Sequence, residues 1–334
     1  MRLELEYLQN KKPLLAFSHG VDSTALFYLL DDAGVSFDCA MVNYQTRPTS
    51  LSEELSAKEL CKKYHKNLYI HRANLKLENS NFENSARDIR YEFFAKIMCE
   101  YDYDALILAH QLNDSLEWLL MQLSKGSGAV GLAGMMPRSK KRVKFQNITK
   151  DIEIFRPLLG VSRDEILNYL NSKNIRYFID SSNQNLKFKR NRIRAEFSDK
   201  FISQFASGVK RSFELLRDDA KILLGEFEYD DGEIFVLQKS LNSSNLIDQA
   251  CKKLGVLMSQ KTRELSTQND CVISHKIAIT SNQNYYFIAP YIKTTMDKKT
   301  KERFRILKIP PLLRPYLSLN SHKLNALDRF LSQS

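Results

Sequence analysis

Three stretches of the sequence carry residues whose types and spacing could do chemistry. In "LLAFSHGVDSTALFYLL" (14–30) an apolar run stops, crosses Ser18, His19, Gly20, Asp22, Ser23 and Thr24, and resumes at another period. A strand feeding such a turn and then a helix offers free backbone N–H groups and a helix N-terminus to an anion. The hydroxyls of Ser18, Ser23 and Thr24 add donors, and Gly20 keeps a Cβ out of the way of a phosphate. Asp22 repels a phosphate unless a divalent cation lies between them, which makes it a candidate Mg²⁺ contact. The same residues also suit a plain helix cap. Neither G-x-x-x-x-G-K-[ST] nor G-x-G-x-x-G occurs, which excludes two common phosphate loops.

The second stretch, "AHQLNDSLEW" (109–118), sets His110 at the end of a strand pattern and Asp114 and Glu117 three apart on the helix that follows. Two carboxylates on one helix face suit an ammonium or a metal, and equally suit an amphipathic surface. The third is basic. Arg190 and Arg194 lie one turn apart and share a face, with Arg192 pointing elsewhere. Arg87 and Arg90, in "SARDIRY", are three apart and read either as phosphate contacts or as helix-surface charges.

Elements must position these groups. "PLLAF" (13–17), "FDCAMVNY" (37–44), "NLYIHRA" (67–73) and "ALILAH" (105–110) read as short apolar strands. Helical patterns over 22–31, 52–65 and 83–101 alternate with them, the signal for a parallel sheet with crossover helices. Ser162 and Glu165 form a capping box that opens a helix to about Lys173, and a basic helix follows over 189–205. Beyond about residue 220, "GEIFVLQ" (232–238), a helix over 244–257 and a hairpin in 276–291 turning at Ser281–Asn284 indicate a small α+β unit. The expected organisation is a first domain over 1–205, a helical linker over 206–225 and a C-terminal region over 226–334.

Composition sets the class. With 334 residues, 43% hydrophobic and 27% charged, the chain is an ordinary globular one. "MRLELEYLQNKK" has no apolar core of signal-peptide length, and no run approaches a membrane span. Five scattered cysteines with no CxxC pattern argue against a disulfide framework or clustered metal site and fit a reducing cytoplasm. The formal charge of +11 makes a polyanionic partner plausible. Nine cations and three acids fall between Lys187 and Arg217, and Arg138–Lys144 and Lys298–Lys308 form two more basic patches. Separate patches suit a long ligand better than a small one.

"SHGVDS" resembles the SGGxDS loop of the ATP pyrophosphatases of the PP-loop superfamily. His19 stands where that loop usually has a glycine. A Cβ there fits a residue that keeps φ negative, and its imidazole could help near a triphosphate. Residues 109–135 resemble the AHHxDDQAET…GLxxM segment of the tRNA(Ile)-lysidine synthases, and residues 156–197 resemble their RPLL…DxSN…RNxxR stretch. "ENSARDIRYEFF" (83–94) is similar to their helix with paired arginines. The resemblance covers about residues 12–200, with a weaker match at 301–317. Asn113 replaces the family's first aspartate, Gln111 its second histidine and Trp118 its threonine, so Asp114 must do more alone.

The resemblance implies a Rossmann-like α/β fold of the adenine nucleotide alpha hydrolase type. It implies a ligase that adenylates O2 of the wobble cytidine in the CAU anticodon of an isoleucine tRNA. The ε-amine of free L-lysine then displaces AMP to form lysidine. ATP and Mg²⁺ are the implied cofactors, with Asp22 the metal contact and a homodimer compatible with the reading. Ser18, His19, Gly20, Val21, Asp22, Ser23 and His110 would hold ATP, and Asp114 and Glu117 would hold lysine. Asp22, Asp114, Glu117 and Arg194 would be catalytic. Arg87, Arg90, Arg190, Arg194, Lys298 and Lys299 would meet tRNA, with Asn191 in the same motif as Arg190. Asp180 reads as structural or as a contact at the rim. Two alternatives remain at this stage: a basic tRNA-binding module that has lost catalysis, and another PP-loop tRNA-modifying enzyme. The missing CxxC speaks against a thiolase.

Overall fold

The computed structural model describes residues 3, 5–46, 49–73, 82–179 and 189–333; Asp180 and Lys187 lie outside them. The chain divides into two compact units, Met1–Asp218 and Asp219–Ser334. Among the described residues no helix is long and apolar enough to cross a membrane.

The first unit follows the alternation in the sequence. Strand β1 (Pro13–Ala16) leads to α1 (Val21–Asp32), β2 (Asp38–Asn43) to α2 (Ser50–Lys63), β3 (Leu68–Arg72) to α3 (Phe82–Glu100), and β4 (Ala105–Ile107) to α4 (Leu112–Leu123). A one-turn helix, α5 (Ala129–Leu132), precedes β5 (Arg138–Phe145) and β6 (Ile148–Phe155). The unit continues through α6 (Arg163–Ser172) and α7 (Lys189–Ile193) into α8 (Asp199–Leu224), whose C-terminal end belongs to the second unit. The sheet order is β3-β2-β1-β4-β6-β5. All pairings are parallel except β5 with β6, an antiparallel hairpin at the edge.

This order fixes where a ligand can sit. The chain runs outward from β1 through β2 to β3, then returns to the other side of β1 as β4. Ligands collect at such a reversal, beyond the carboxyl ends of the strands, and here the loops leaving β1 and β4 meet that point. Alternating side chains serve two cores, with Leu15 facing α1, α2 and α6 and Leu14 facing α3.

The structure departs from the sequence expectation here. The basic segment is not one helix ending at Phe205. A π-helical turn over Arg194–Ser198 separates α7 from α8, and Phe205 (φ −129°, ψ 24°) is a kink that α8 passes through. The hairpin over 138–155 was legible only as a cationic patch.

The second unit is an antiparallel sheet, β7 (Tyr229–Asp230), β8 (Phe235–Gln238), β9 (Cys271–Ile273), β10 (Ile277–Ser281) and β11 (Tyr285–Pro290), in the order β7-β8-β11-β10-β9. Period-2 alternation divides its faces. Phe235, Leu237 and Ile288 pack towards α9 (Ser243–Lys253), while Val236, Phe287 and Ala289 pack towards the C-terminal helices. Besides α10 (Gln260–Gln268) these are α11 (Lys298–Ile306), α12 (Arg314–Leu319) and α13 (Ser321–Gln333). Helix α9 stops at Lys253 rather than 257, because Gly255 takes φ +81° and its N–H donates to the carbonyl of Lys252.

Candidate active site

The loop between β1 and α1 is braced by its own hydroxyls. Ser18 Oγ and Ser23 Oγ are 3.1 Å apart, and the Ser18 N–H donates to Ser23 Oγ at 3.2 Å. Gly20 is the N-cap of α1 at φ −80°, so it is not needed for its φ, and a Cβ there would meet Ser18 Oγ at 3.4 Å. Glycine leaves this face of the turn open beside the first-turn amides of α1, which have no intrahelical acceptor.

The left-handed residue is His19, at φ 57°. The expectation of a negative φ is therefore corrected, and so is the role of the ring. Its Nδ1 meets Thr24 Oγ1 at 3.1 Å and its Nε2 meets Ser56 Oγ on α2 at 3.0 Å, with the residue only 3% exposed. Both ring nitrogens are engaged inside the protein, so the imidazole is not a ligand for a triphosphate. Thr24 is likewise turned inward and fully buried. His19 contributes its backbone, whose carbonyl accepts from the Phe178 N–H at 3.0 Å. Burial, together with the nearby Arg176 charge, lowers its pKa to about 4, so the ring is neutral at pH 7.

Helix α4 starts with a capping box in which Gln111 is the N-cap and Asp114 the reciprocal partner, Asp114 Oδ2 accepting from the Gln111 N–H at 2.9 Å. Asn113, the family's lost aspartate, has a structural task. Its Nδ2 donates to Asp199 at 2.7 Å, and its Oδ1 accepts from the Arg163 N–H at 3.2 Å. Trp118 donates from Nε1 to the Gly131 carbonyl at 3.0 Å and so ties α5 to α4.

Asp114 and Glu117 do share a face, and that face is buried rather than a surface. Arg190 reaches Asp114 at 2.5 Å and Glu117 at 2.7 Å, while Arg194 reaches Glu117 at 2.5 Å and Asp114 at 3.5 Å. The two arginines are thus bonded to the carboxylates and are not a free polyanion face. Burial alone would raise the Asp114 pKa, but the Arg190 charge and the Gln111 amide carry it below the ordinary carboxylate range.

Asp22 joins the two halves. Its Oδ2 is 3.6 Å from Arg163, whereas its Oδ1 is buried with no hydrogen-bond partner. Burial and the charge of Asp114, with a smaller push from Glu117, raise its pKa to about 6 against the opposing Arg163 and Arg194. A carboxylate short of counter-charge fits a Mg²⁺ contact, since that ion takes one or two carboxylates with phosphate oxygens completing its shell. No cluster of three or more His, Cys, Asp or Glu able to cage a metal occurs among the described residues.

His110 leaves β4 beside this cluster with its Nδ1 buried and unpartnered. Burial, and the charges of Arg156, Arg190 and Arg87, lower its pKa to about 4 despite Asp114. Arg90 donates to Tyr44 Oη at 3.2 Å, and Arg87 stacks on Tyr91. Lys298 and Lys299 are exposed on α11 in the second unit. Sequence reasoning missed Ser56, Arg156 and Arg163. The position of Arg163, first in α6 after the Ser162 cap, was the one available signal.

A phosphate cradle after β1, at the reversal of a parallel sheet, with an acidic cluster after β4, defines a nucleotide-using enzyme. The PP-loop domain matches residues 2–201, and the chain belongs to that family. A tRNA(Ile)-lysidine synthase of Campylobacter jejuni strain RM1221 is 46% identical over 96% of each chain. One of Wolinella succinogenes is 40% identical over 94% of each, and one of Helicobacter pylori strain 26695 is 37% identical over 95% of this chain and 92% of its own. Within the PP-loop family, the chain belongs with the tRNA(Ile)-lysidine synthases. The U34-tRNA thiolase NcsA from Methanococcus maripaludis shares the fold at a TM-score of 0.52 and 19% identity, over 65% of this chain and 75% of that one.

Proposed function

We propose that the chain is a cytoplasmic ligase that joins L-lysine to the wobble cytidine of the CAU anticodon of an isoleucine tRNA. O2 of the base attacks the α-phosphorus of ATP and pyrophosphate leaves; the lysine ε-amine then attacks carbon 2 and AMP leaves. The observation that carries this reading is Asp22. It belongs to the phosphate loop, yet it lies within electrostatic reach of Asp114 and Glu117. An anion cradle and a carboxylate pair therefore serve one site.

The first-turn amides of α1 and the Ser18 hydroxyl hold the phosphates of ATP. Asp22 would hold Mg²⁺, which would supply neutralisation of phosphate charge. Arg194 is felt by both Asp22 and Glu117 and stabilises charge on the adenylyl group in transfer. Asp114 and Glu117 take the lysine ammonium, in exchange with or alongside the guanidinium groups already on them. A free lysine amine, at a pKa of about 10.4, costs roughly 4.6 kcal/mol to present neutral at pH 7. With the pKa values of His110 and Asp114 both lowered, neither is a strong base at that pH. The ammonium gives its proton to water, and the guanidinium groups of Arg190 and Arg194 favour that loss by repelling the charge.

Pyrophosphate release from ATP tests the reading. Up to one equivalent is expected with tRNA alone, since adenylation precedes the attack of lysine, and repeated turnover only when lysine is also present; tight tRNA binding without any release contradicts it.

A further inference from the structure

A second charged cluster lies on the α3 side of the sheet. Along β5, Ser139, Lys141, Val143 and Phe145 share one face, and Val143 packs with Phe93, Phe94 and Ile97 of α3. Lys141 therefore faces α3, where its Nζ is 3.7 Å from the centroid of the Tyr91 ring. The Arg87 guanidinium carbon is 4.8 Å from the same centroid. Arg156, directly after β6, donates from Nη1 to the Met136 carbonyl at 2.9 Å and to Ser139 Oγ at 3.1 Å. Its Nε is buried and has no partner.

None of these three cations meets a carboxylate among the described residues. The opposite face of the same strand is different, since Arg138 pairs with Glu153 and Arg142 with Asp151. The three charges act on one another. Lys141 is an exposed residue, yet desolvation of its ammonium against the Tyr91 ring, then the charges of Arg87 and Arg156, draw its pKa down to about 8, with Asp88 opposing. Arg87 and Arg156 also bear on His110, so the cluster adjoins the active site.

We propose that Arg87, Lys141 and Arg156, with Tyr91 beneath two of them, form a phosphate seat that takes a phosphodiester of the RNA whose base is modified. The inference rests on the tRNA-modifying reading above. Guanidinium forks match phosphate oxygens two at a time, and lysine adds a point charge. The same chemistry would take pyrophosphate, but position favours RNA. The seat belongs to β5, β6 and α3, and β6 is two strands from β1. At about 4.8 Å per strand that is roughly 10 Å from the strand that feeds the phosphate loop. A polymer entering past the sheet edge covers that span.

The test compares Lys141→Gln and Arg87→Gln with Lys140→Gln, which removes the same charge from the opposite face of β5. Binding of an unmodified isoleucine tRNA transcript is measured over a salt series, with ATP affinity, inhibition by pyrophosphate, and melting curves for each variant. Lys141→Gln is expected to weaken tRNA about fivefold beyond Lys140→Gln, to flatten the log K against log salt slope by about 0.7 for one lost phosphate contact, and to leave ATP affinity unchanged. Equal behaviour of Lys141→Gln and Lys140→Gln overturns the seat. Weaker pyrophosphate inhibition with tRNA binding unaffected overturns the RNA assignment in favour of the nucleotide. Lysidine formation by the unaltered protein is read in the same preparation. Its absence would defeat the functional reading, whereas its presence with Lys141→Gln and Lys140→Gln alike defeats the seat alone.

Discussion

His19 puts a side chain where the backbone favours glycine. At φ 57° a Cβ costs about 1–2 kcal/mol, which the ring offsets through Thr24, Ser56 and its packing against Phe17 and Phe178. His19→Gly and His19→Ala lose the same bonds, but only alanine keeps the strain. Glycine is expected to be the milder change by about 1 kcal/mol in denaturant unfolding, the reverse of its usual order; a more stable alanine variant would contradict a left-handed residue here. Asp22 is the opposite case, a carboxylate kept where the fold disfavours its charge. Its folded pKa of about 6 exceeds the ordinary value of 3.8, so the native state binds the proton more tightly and ligand-free stability falls as pH rises from about 4 to 6. Asp22→Asn should therefore raise stability by about 3 kcal/mol at pH 8 and by almost nothing at pH 4. Melting temperatures across that range check it, and a gain independent of pH would contradict it.

At the scale of elements, what the sequence revealed followed local pattern. β1 to β4 and α1 to α3 were legible because apolar runs alternate with amphipathic ones, and α6 because Ser162 and Glu165 form the capping box their spacing requires. Ser162 is 4% exposed and holds the turn from which Arg163 reaches Asp22. Ser162→Ala is expected to cost about 1 kcal/mol in stability and to weaken ATP binding with it; calorimetry and nucleotide titration measure both. Hairpin β5–β6 was not legible. Arg138, Lys140, Arg142 and Lys144 fill one face, and Lys141 interrupts the other, so no apolar alternation survives. Its pairing depends on Glu153 and Asp151 across the strand, which are invisible until the register is known. The candidate site divides in the same way. The spacing of Asp114 and Glu117 showed a shared face, but that two arginines some seventy residues on are bonded to it is a tertiary fact. Asn113 looked like a loss and proved to be a link to Asp199 and Arg163.

For the whole molecule, the first unit is proposed to hold the chemistry and the second to take a share of the RNA. Lys298 and Lys299 begin α11, exposed, and no ion pair is seen for either among the described residues. Replacing both by glutamine is expected to weaken tRNA binding and flatten its salt dependence by up to about 1.4, two single-strand phosphate contacts' worth, while ATP affinity stays the same. Unchanged tRNA affinity would confine recognition to the first unit. The central claim concerns the product. The direct measurement is nucleoside analysis of an isoleucine tRNA bearing the CAU anticodon after incubation with the protein, ATP, Mg²⁺ and L-lysine. The account predicts lysidine at the wobble position, absent when ATP or lysine is withheld. A wobble cytidine left unmodified by folded, tRNA-bound protein supplied with both would contradict it.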